Sequence, residues 1–354
     1  MDMRTKRTVY SLLSSVILWG SFIVILYFAN EDRATIDAII GFIFSIILAP
    51  AIHEVGHIAF GSLVDMECVY VKFFCFQAKR VNGEMEPSFV IPFDVSDQTQ
   101  MIPTKGGDMK RRASLYTLGG LIFSLAILTV IVFVGIVLSV IGYPNYLLWG
   151  LVPYILYLLV YNIAPVEYES GKTDALVFSG IENGEASEQN MLAAMEIQGQ
   201  LYEGKSFAEI DETLFLANPQ LCEDEPLFAV MLDLKYRYYM EKGDMRMAAD
   251  CLNRLAQAQE YIPNEELQKI AAEFVYMHSI KGNKELALES AKSCKRYLRK
   301  DTSATRNRIM AAFALVKGED EQAKEYKETA LQELKNERIK GVAKFEEILI
   351  ERIA

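Results

Sequence analysis

Two of the only three histidines in this chain of 354 residues, His53 and His57, stand four positions apart, and Glu54 directly follows the first. On a helix that spacing puts both imidazoles on one face, one turn apart, where they can grip a single ion. In such an H-E-x-x-H arrangement the two imidazoles hold zinc, and the glutamate takes a proton from the water the ion activates. The spacing matters because the carboxylate must reach that water without displacing a ligand. The third histidine, His278, lies far away in the acidic soluble half, on one of its helical stretches, and reads as a surface or packing residue.

The element that must carry the pair is strongly apolar. Residues 38–64 contain one charged side chain, that of Glu54, over a length that exceeds the about 20 apolar residues of a membrane span. In a soluble bundle, two histidines packed by chance would be a serious alternative. Within a span an ionisable cluster is costly unless paired or metal-bound, and it marks a functional site.

The chain is 51% hydrophobic with a net charge of −11, and the two averages conceal unlike halves. Residues 1–180 hold 12 basic and 15 acidic side chains, which leaves 24 basic and 32 acidic for the remainder. A membrane half is therefore followed by an acidic soluble half, a charge balance that argues against nucleic acid or anionic lipid as partners.

The chain opens with the short basic head MDMRTKR and runs uncharged from Thr8 to Asn30. A cleaved signal peptide would have a shorter apolar region ending in small residues, so this stretch reads as a first span. Glu31, Asp32 and Arg33 form an external turn, and the histidine-bearing helix brings the chain back. Residues 113–166 are uncharged. They suit two further spans, about 113–141 and 146–166, broken at Gly142, Pro144 and Asn145. Gly119 and Gly120 read as small residues that let helices approach closely.

Basic residues set the orientation. Arg4, Lys6 and Arg7 precede the first span, and Lys72, Lys79, Arg80, Lys105, Lys110, Arg111 and Arg112 follow the second, against Arg33 outside. The expected arrangement is a multi-pass protein of the cell membrane with both termini in the cytoplasm and the histidines in the cytoplasmic half of their helix. The five cysteines fall on the reducing side without any C-x-x-C pair, so no disulfide or thiol-metal role is assigned.

In the cytoplasmic loop, Cys68–Phe76 and Ser88–Phe93 are β-prone and Asn82-Gly83 is a turn signal, which predicts a β-hairpin beside the histidines. That hairpin is either a solvated ornament or an edge that pairs with an extended substrate.

A catalytic zinc keeps three protein ligands and one open position. The candidates for the third are Glu167, Glu169 and Asp174, just after the fourth span. Pro165 interrupts the helix there and Asn162 lies one turn before it, and irregular backbone at membrane depth is tolerated only in protein or against a water-filled cavity.

With these residues in place, the chain resembles the site-2 protease family of intramembrane zinc metalloproteases over roughly residues 38–180. HEVGHIAFGSLV is similar to the family's first motif, and Asn162, Pro165 and Asp174 match its N-x-x-P segment leading to an aspartate. The resemblance implies that Asp174 is the third zinc ligand, with Glu169 in reserve, that Glu54 is the catalytic base, and that Asn162 binds substrate backbone or the developing oxyanion. It implies peptide-bond hydrolysis in or near the span of a single-span protein or signal-peptide remnant. Three departures stand out: Asp174 lies nine residues past Pro165, Ala175 replaces the glycine of the family's D-G, and Leu118-Gly119-Gly120 lacks the proline and asparagine of the family's second core helix. The insertion ESGKT resembles longer variants in some bacterial members, so a bacterial source is expected. A different reading of Asp174 makes it an acid at a helix start, with Thr173 as cap.

Three later segments, EKGDMRMAAD, IKGNKELALE and VKGEDEQAKE, share a register around Gly243, Gly282 and Gly318. Each glycine lies between amphipathic stretches, loosely resembling tetratricopeptide-like repeats that bind a peptide or protein. The expected fold is therefore mainly α, in three parts: an N-terminal span (1–36), a membrane metalloprotease core (37–180) and a cytoplasmic helical-repeat domain (181–354), with residues 180–188 as linker. The competing function is a non-catalytic membrane scaffold or receptor whose repeats do the work. A peptidase of the prenylated-protein type is disfavoured by the lack of a Glu-x-x-x-Asp helix and by the presence of Asn162-x-x-Pro165.

Overall fold

The computed structural model describes residues 3–81, 83–90, 98–169, 171–257 and 262–353. It is mainly helical and divides into two compact units, one of residues 1–102 and 108–185, the other of 103–107 and 186–354.

The first unit opens with α1 (Met3–Phe28) and α2 (Asp32–Leu63), separated by only three residues. The charged triplet expected as a turn is thus mostly helical: Glu31 is the extended N-cap, and Asp32 begins α2. Four antiparallel strands follow, β1 (Met66–Phe73), β2 (Phe76–Val81), β3 (Glu84–Phe89) and β4 (Gln98–Pro103), in the sheet order β3-β2-β1-β4. This is larger than the expected hairpin. The pairing Val81↔Glu84 places β2 and β3 on either side of positions 82 and 83, with Gly83 at φ +92°. Asn82, and the part of the second β-prone run from 91 onward, lie outside the described residues. A second tight reversal at Phe74, φ +51°, joins β1 to β2 through the pair Phe73↔Phe76.

Next come α3 (Met109–Val140), α4 (Tyr146–Ile163), the short antiparallel pair β5 (Glu167–Tyr168) and β6 (Gly171–Lys172), and α5 (Asp174–Asn183). The helices α1 to α4 are each long and apolar enough to cross a membrane. Their outer faces expose Leu12, Val16, Ile23, Phe44 and Phe133, an apolar belt that water would penalise at about 25 cal/mol per Å². Helix α2 packs against both α3 and α4, and close approach depends on glycines. A Cβ on Gly56 would meet the Gly119 carbonyl at 2.6 Å, and one on Gly119 would meet the Gly56 carbonyl at 2.7 Å. On the other flank Gly41 and Gly150 face each other across α2 and α4 in the same way.

The second unit is built from α6 (Ala186–Tyr202), α7 (Thr213–Leu216), α8 (Pro226–Lys242), α9 (Met245–Gln257), α10 (Asn264–Ile280), α11 (Lys284–Ser293), α12 (Lys295–Lys300), α13 (Ala304–Lys317), α14 (Asp320–Glu333) and α15 (Lys340–Glu351). The shared Lys-Gly register has a backbone cause. Gly243, Gly282 and Gly318, at φ +79°, +73° and +83°, end α8, α10 and α13 in the left-handed conformation and turn the chain into α9, α11 and α14, the conformation in which an L side chain is strained. Phe207, Phe215, Tyr276, Met240 and Phe345 lie in its core. Residues 103–107 belong here because the Gly107 amide donates to Glu196 Oε2 at 2.7 Å and Gly199 leaves room for the Lys105 carbonyl. The stretch expected as a linker is helical on both sides of Gly184, which closes α5 at φ +67°.

Candidate metal centre

Helix α2 carries His53, Glu54 and His57 inward, where all three are less than a tenth exposed. Their ligand atoms form one group of a kind that can hold a metal ion. The two Nε2 atoms face each other at 3.2 Å. His57 Nδ1 lies 2.9 Å from the Tyr116 carbonyl of α3; because a carbonyl only accepts, Nδ1 carries the proton and Nε2 presents its lone pair. His53 Nδ1 faces the Ser124 hydroxyl of the same helix at 3.5 Å. Helix α3 thus orients both rings from behind, as the outer partners of ligating histidines do.

The Asp174 carboxylate faces the same pair of imidazoles. Its Oδ2 lies 3.1 Å from His53 Nε2 and 3.5 Å from His57 Nε2. Three donor atoms separated by 3.1, 3.2 and 3.5 Å match the edges of a tetrahedron whose centre binds each at about 2.05 Å, edges of about 3.3 Å. With both imidazoles neutral and their Nε2 lone pairs free, these atoms and the carboxylate oxygen face one point as a donor set that fits a divalent ion; with a proton on Nε2 the same contacts are ion pairs.

The local fold explains how Asp174 arrives there. Pro165 follows the end of α4, and the chain then makes the β5–β6 excursion and returns to its starting point. The Thr173 amide donates to the Val166 carbonyl at 3.2 Å, and its hydroxyl donates to Ala164 at 2.6 Å. The Thr173 hydroxyl is therefore not a helix cap: Thr173 occupies the N-cap position of α5 but makes no side-chain cap bond. It pins the first residue of α5, Asp174, beside Pro165. The inserted residues close on themselves as a hairpin, so a long spacing in sequence is a short one in space.

The other candidates fall elsewhere. Glu167, on β5, and Glu169 are exposed. Asn162 turns back on its own helix, its Nδ2 donating to the Leu158 carbonyl at 3.2 Å. His278 stacks on Phe274 in the second unit, with ring centroids 6.2 Å apart.

Gly120 does more than admit a helix. A Cβ there would stand 2.6 Å from both His53 Cε1 and His57 Nε2, so the bare backbone of α3 is the floor beneath the two rings. The glycine pair was visible in the sequence, and its place under the imidazoles was not. The Tyr116 carbonyl leaves no trace in residue type. The sheet also reaches the site. Tyr116 donates its hydroxyl to the Thr99 carbonyl of β4 at 2.6 Å, and burial, with the Glu54 carboxylate adding to it, pushes the Cys68 thiol of β1 up. No family model, curated protein or solved structure matches this chain.

Proposed function

We propose that this protein is an intramembrane zinc metallopeptidase that hydrolyses a peptide bond in or near the membrane-spanning segment of a single-span protein or signal-peptide remnant. The observation that carries this reading is the convergence of His53 Nε2, His57 Nε2 and Asp174 Oδ2 on one point within helices apolar enough to span a bilayer. Two histidines and a carboxylate form a donor set suited to zinc with a fourth position open. The excess of Lys and Arg in the amino-terminal head and in the loop after α2 puts the amino terminus, the four-stranded sheet and the helical unit on the cytoplasmic side.

Zinc, when bound, lowers the pKa of water toward 7 and polarises a carbonyl. The remaining steps belong to the chain. Glu54, next to the first ligand on the same turn of α2, accepts the proton of the attacking water and returns it to the leaving amine. Asp174 and the two imidazoles keep the ion on the α2 face. The edge strand β3 pairs with substrate backbone, which must leave its helical conformation before it is cut, and Asn162 serves substrate backbone once its amide swings off Leu158.

Glu54→Gln tests the assignment. The variant should keep its metal, measured by elemental analysis of protein purified in detergent, and lose at least about a hundredfold in cleavage of a co-expressed single-span reporter. Unchanged cleavage, or wild-type protein that carries no ion, would remove the hydrolytic reading and leave a membrane scaffold.

A further inference from the structure

The second unit is acidic as a whole, with 32 acidic against 24 basic residues beyond position 180, yet one part of its surface has the opposite sign. Between residues 281 and 300 there are seven Lys or Arg and two Glu. Lys292 lies in the last turn of α11, and four of the six residues of α12 are Lys295, Arg296, Arg299 and Lys300. All five cations are exposed. Leu298 and Cys294, by contrast, are buried against the unit's core, so α12 lays one face inward and presents its charges outward.

The clustering singles the patch out. Elsewhere in the unit several cations find carboxylates, Arg254 with Glu223, Lys269 with Glu266, Lys317 with Glu319 and Lys344 with Glu209, and others, such as Lys235, Arg246 and Lys324, are spread along the sequence. Among the described residues no ion pair engages any of the five cations on α11 and α12. In a unit with surplus carboxylates, five neighbouring cations left without a counter-charge form a surface that suits an external anion.

We infer that the α11–α12 face is a docking surface for the anionic headgroups of a bilayer. Charge complementarity selects an array of phosphates, and each basic residue near such a surface contributes about fivefold to binding. The lipid is favoured over an acidic protein or nucleic acid because the unit is covalently joined to apolar helices, so the headgroups are present at high effective concentration. The proposal depends on the membrane reading of α1 to α4 and not on hydrolysis. It also limits the whole-chain charge argument, since a negative average does not exclude a positive face.

The test uses the full-length Glu54→Gln protein in nanodiscs of phosphatidylcholine, alone or mixed with phosphatidylglycerol. Trypsin cleavage at residues 292–300 is followed by mass spectrometry, with Lys269 and Lys317 as internal references. Cleavage of the patch should slow at least about tenfold in the anionic discs while the references do not change. The difference should vanish in 1 M salt, where the screening length is about 3 Å. Lys292→Gln with Lys295→Gln leaves three cleavage sites and should bring the anionic rate to within about threefold of the neutral one. Equal rates in the two lipids would overturn the proposal. So would protection by polyglutamate or an oligonucleotide in neutral discs without any lipid effect, which would assign the surface to a soluble polyanion. Metal content and reporter cleavage are read separately, so failure here does not touch the hydrolytic reading.

Discussion

At the scale of single residues, the candidate centre depends as much on what is missing as on what is present. Gly120 contributes no side chain, and that is its role: with a Cβ 2.6 Å from each imidazole, Gly120→Ala must push the rings off their common point. Its metal affinity, measured by competition with a chelator, should fall about 10–100-fold, as for loss of other groups that orient ligating histidines. Asp174→Asn keeps the shape and removes the charge; it should lower metal affinity by more than the Gly120 variant while leaving the fold of α5 intact by circular dichroism. The histidines and Glu54 could be read from the sequence because their types and spacing are tied to the chemistry. Asp174 was one of three candidate carboxylates, since spacing along the chain says nothing about a hairpin that closes on itself. The alternative that made Thr173 a cap finds no side-chain cap bond, since its hydroxyl answers to Ala164, nine residues back.

At the scale of elements, glycine positions divide into two kinds. Gly56, Gly119, Gly41 and Gly150 lie in helices and permit contact, whereas Gly243, Gly282 and Gly318 end helices in a conformation that disfavours side chains. Gly318→Ala should therefore destabilise the α13–α14 turn by about 1 kcal/mol, visible as a lower denaturant midpoint. The register of Lys-Gly segments was readable because a left-handed helix end has a strong residue preference. The reversal at Phe74 was not, since an aromatic residue at positive φ carries no turn signature, and the extra strand it creates went unanticipated. Helices α10, α13 and α15 are joined by a charge that lies wholly inside: Arg308 donates to Glu273 and Glu346, each at 2.6 Å, with its guanidinium 4.2 Å from the Tyr276 ring. Arg308→Leu takes the partner from the buried Glu346 and the half-buried Glu273 and should cost roughly 3–5 kcal/mol in denaturant unfolding. Adding Glu273→Gln and Glu346→Gln should recover part of that loss, because the three side chains form one coupled network.

At the scale of the molecule, the two units have separate cores and separate sources of stability. An ion bound by His53, His57 and Asp174 stabilises the first unit alone, by about 2.7 kcal/mol at a hundred times its dissociation constant. Chelation should therefore lower one of two thermal transitions and leave the other in place, as a calorimetric scan would reveal; a common shift of both would show that they unfold as one. The division into an apolar and an acidic half was evident from composition, whereas the grouping of residues 103–107 with the second unit depends on the Gly107 amide bonding Glu196 and on the Lys105 carbonyl fitting against Gly199.

The pinning of Asp174 by Thr173 also orders events during synthesis. Every apolar helix is complete by residue 163, yet the carboxylate that finishes the donor set lies beyond a hairpin and a hydroxyl latch. If those helices enter a bilayer as they leave the ribosome, the nascent chain then has the two imidazoles but not Asp174. On the proposed reading, ion capture would wait until insertion is over, and a translation product cut short after the last apolar helix would lack hydrolytic activity.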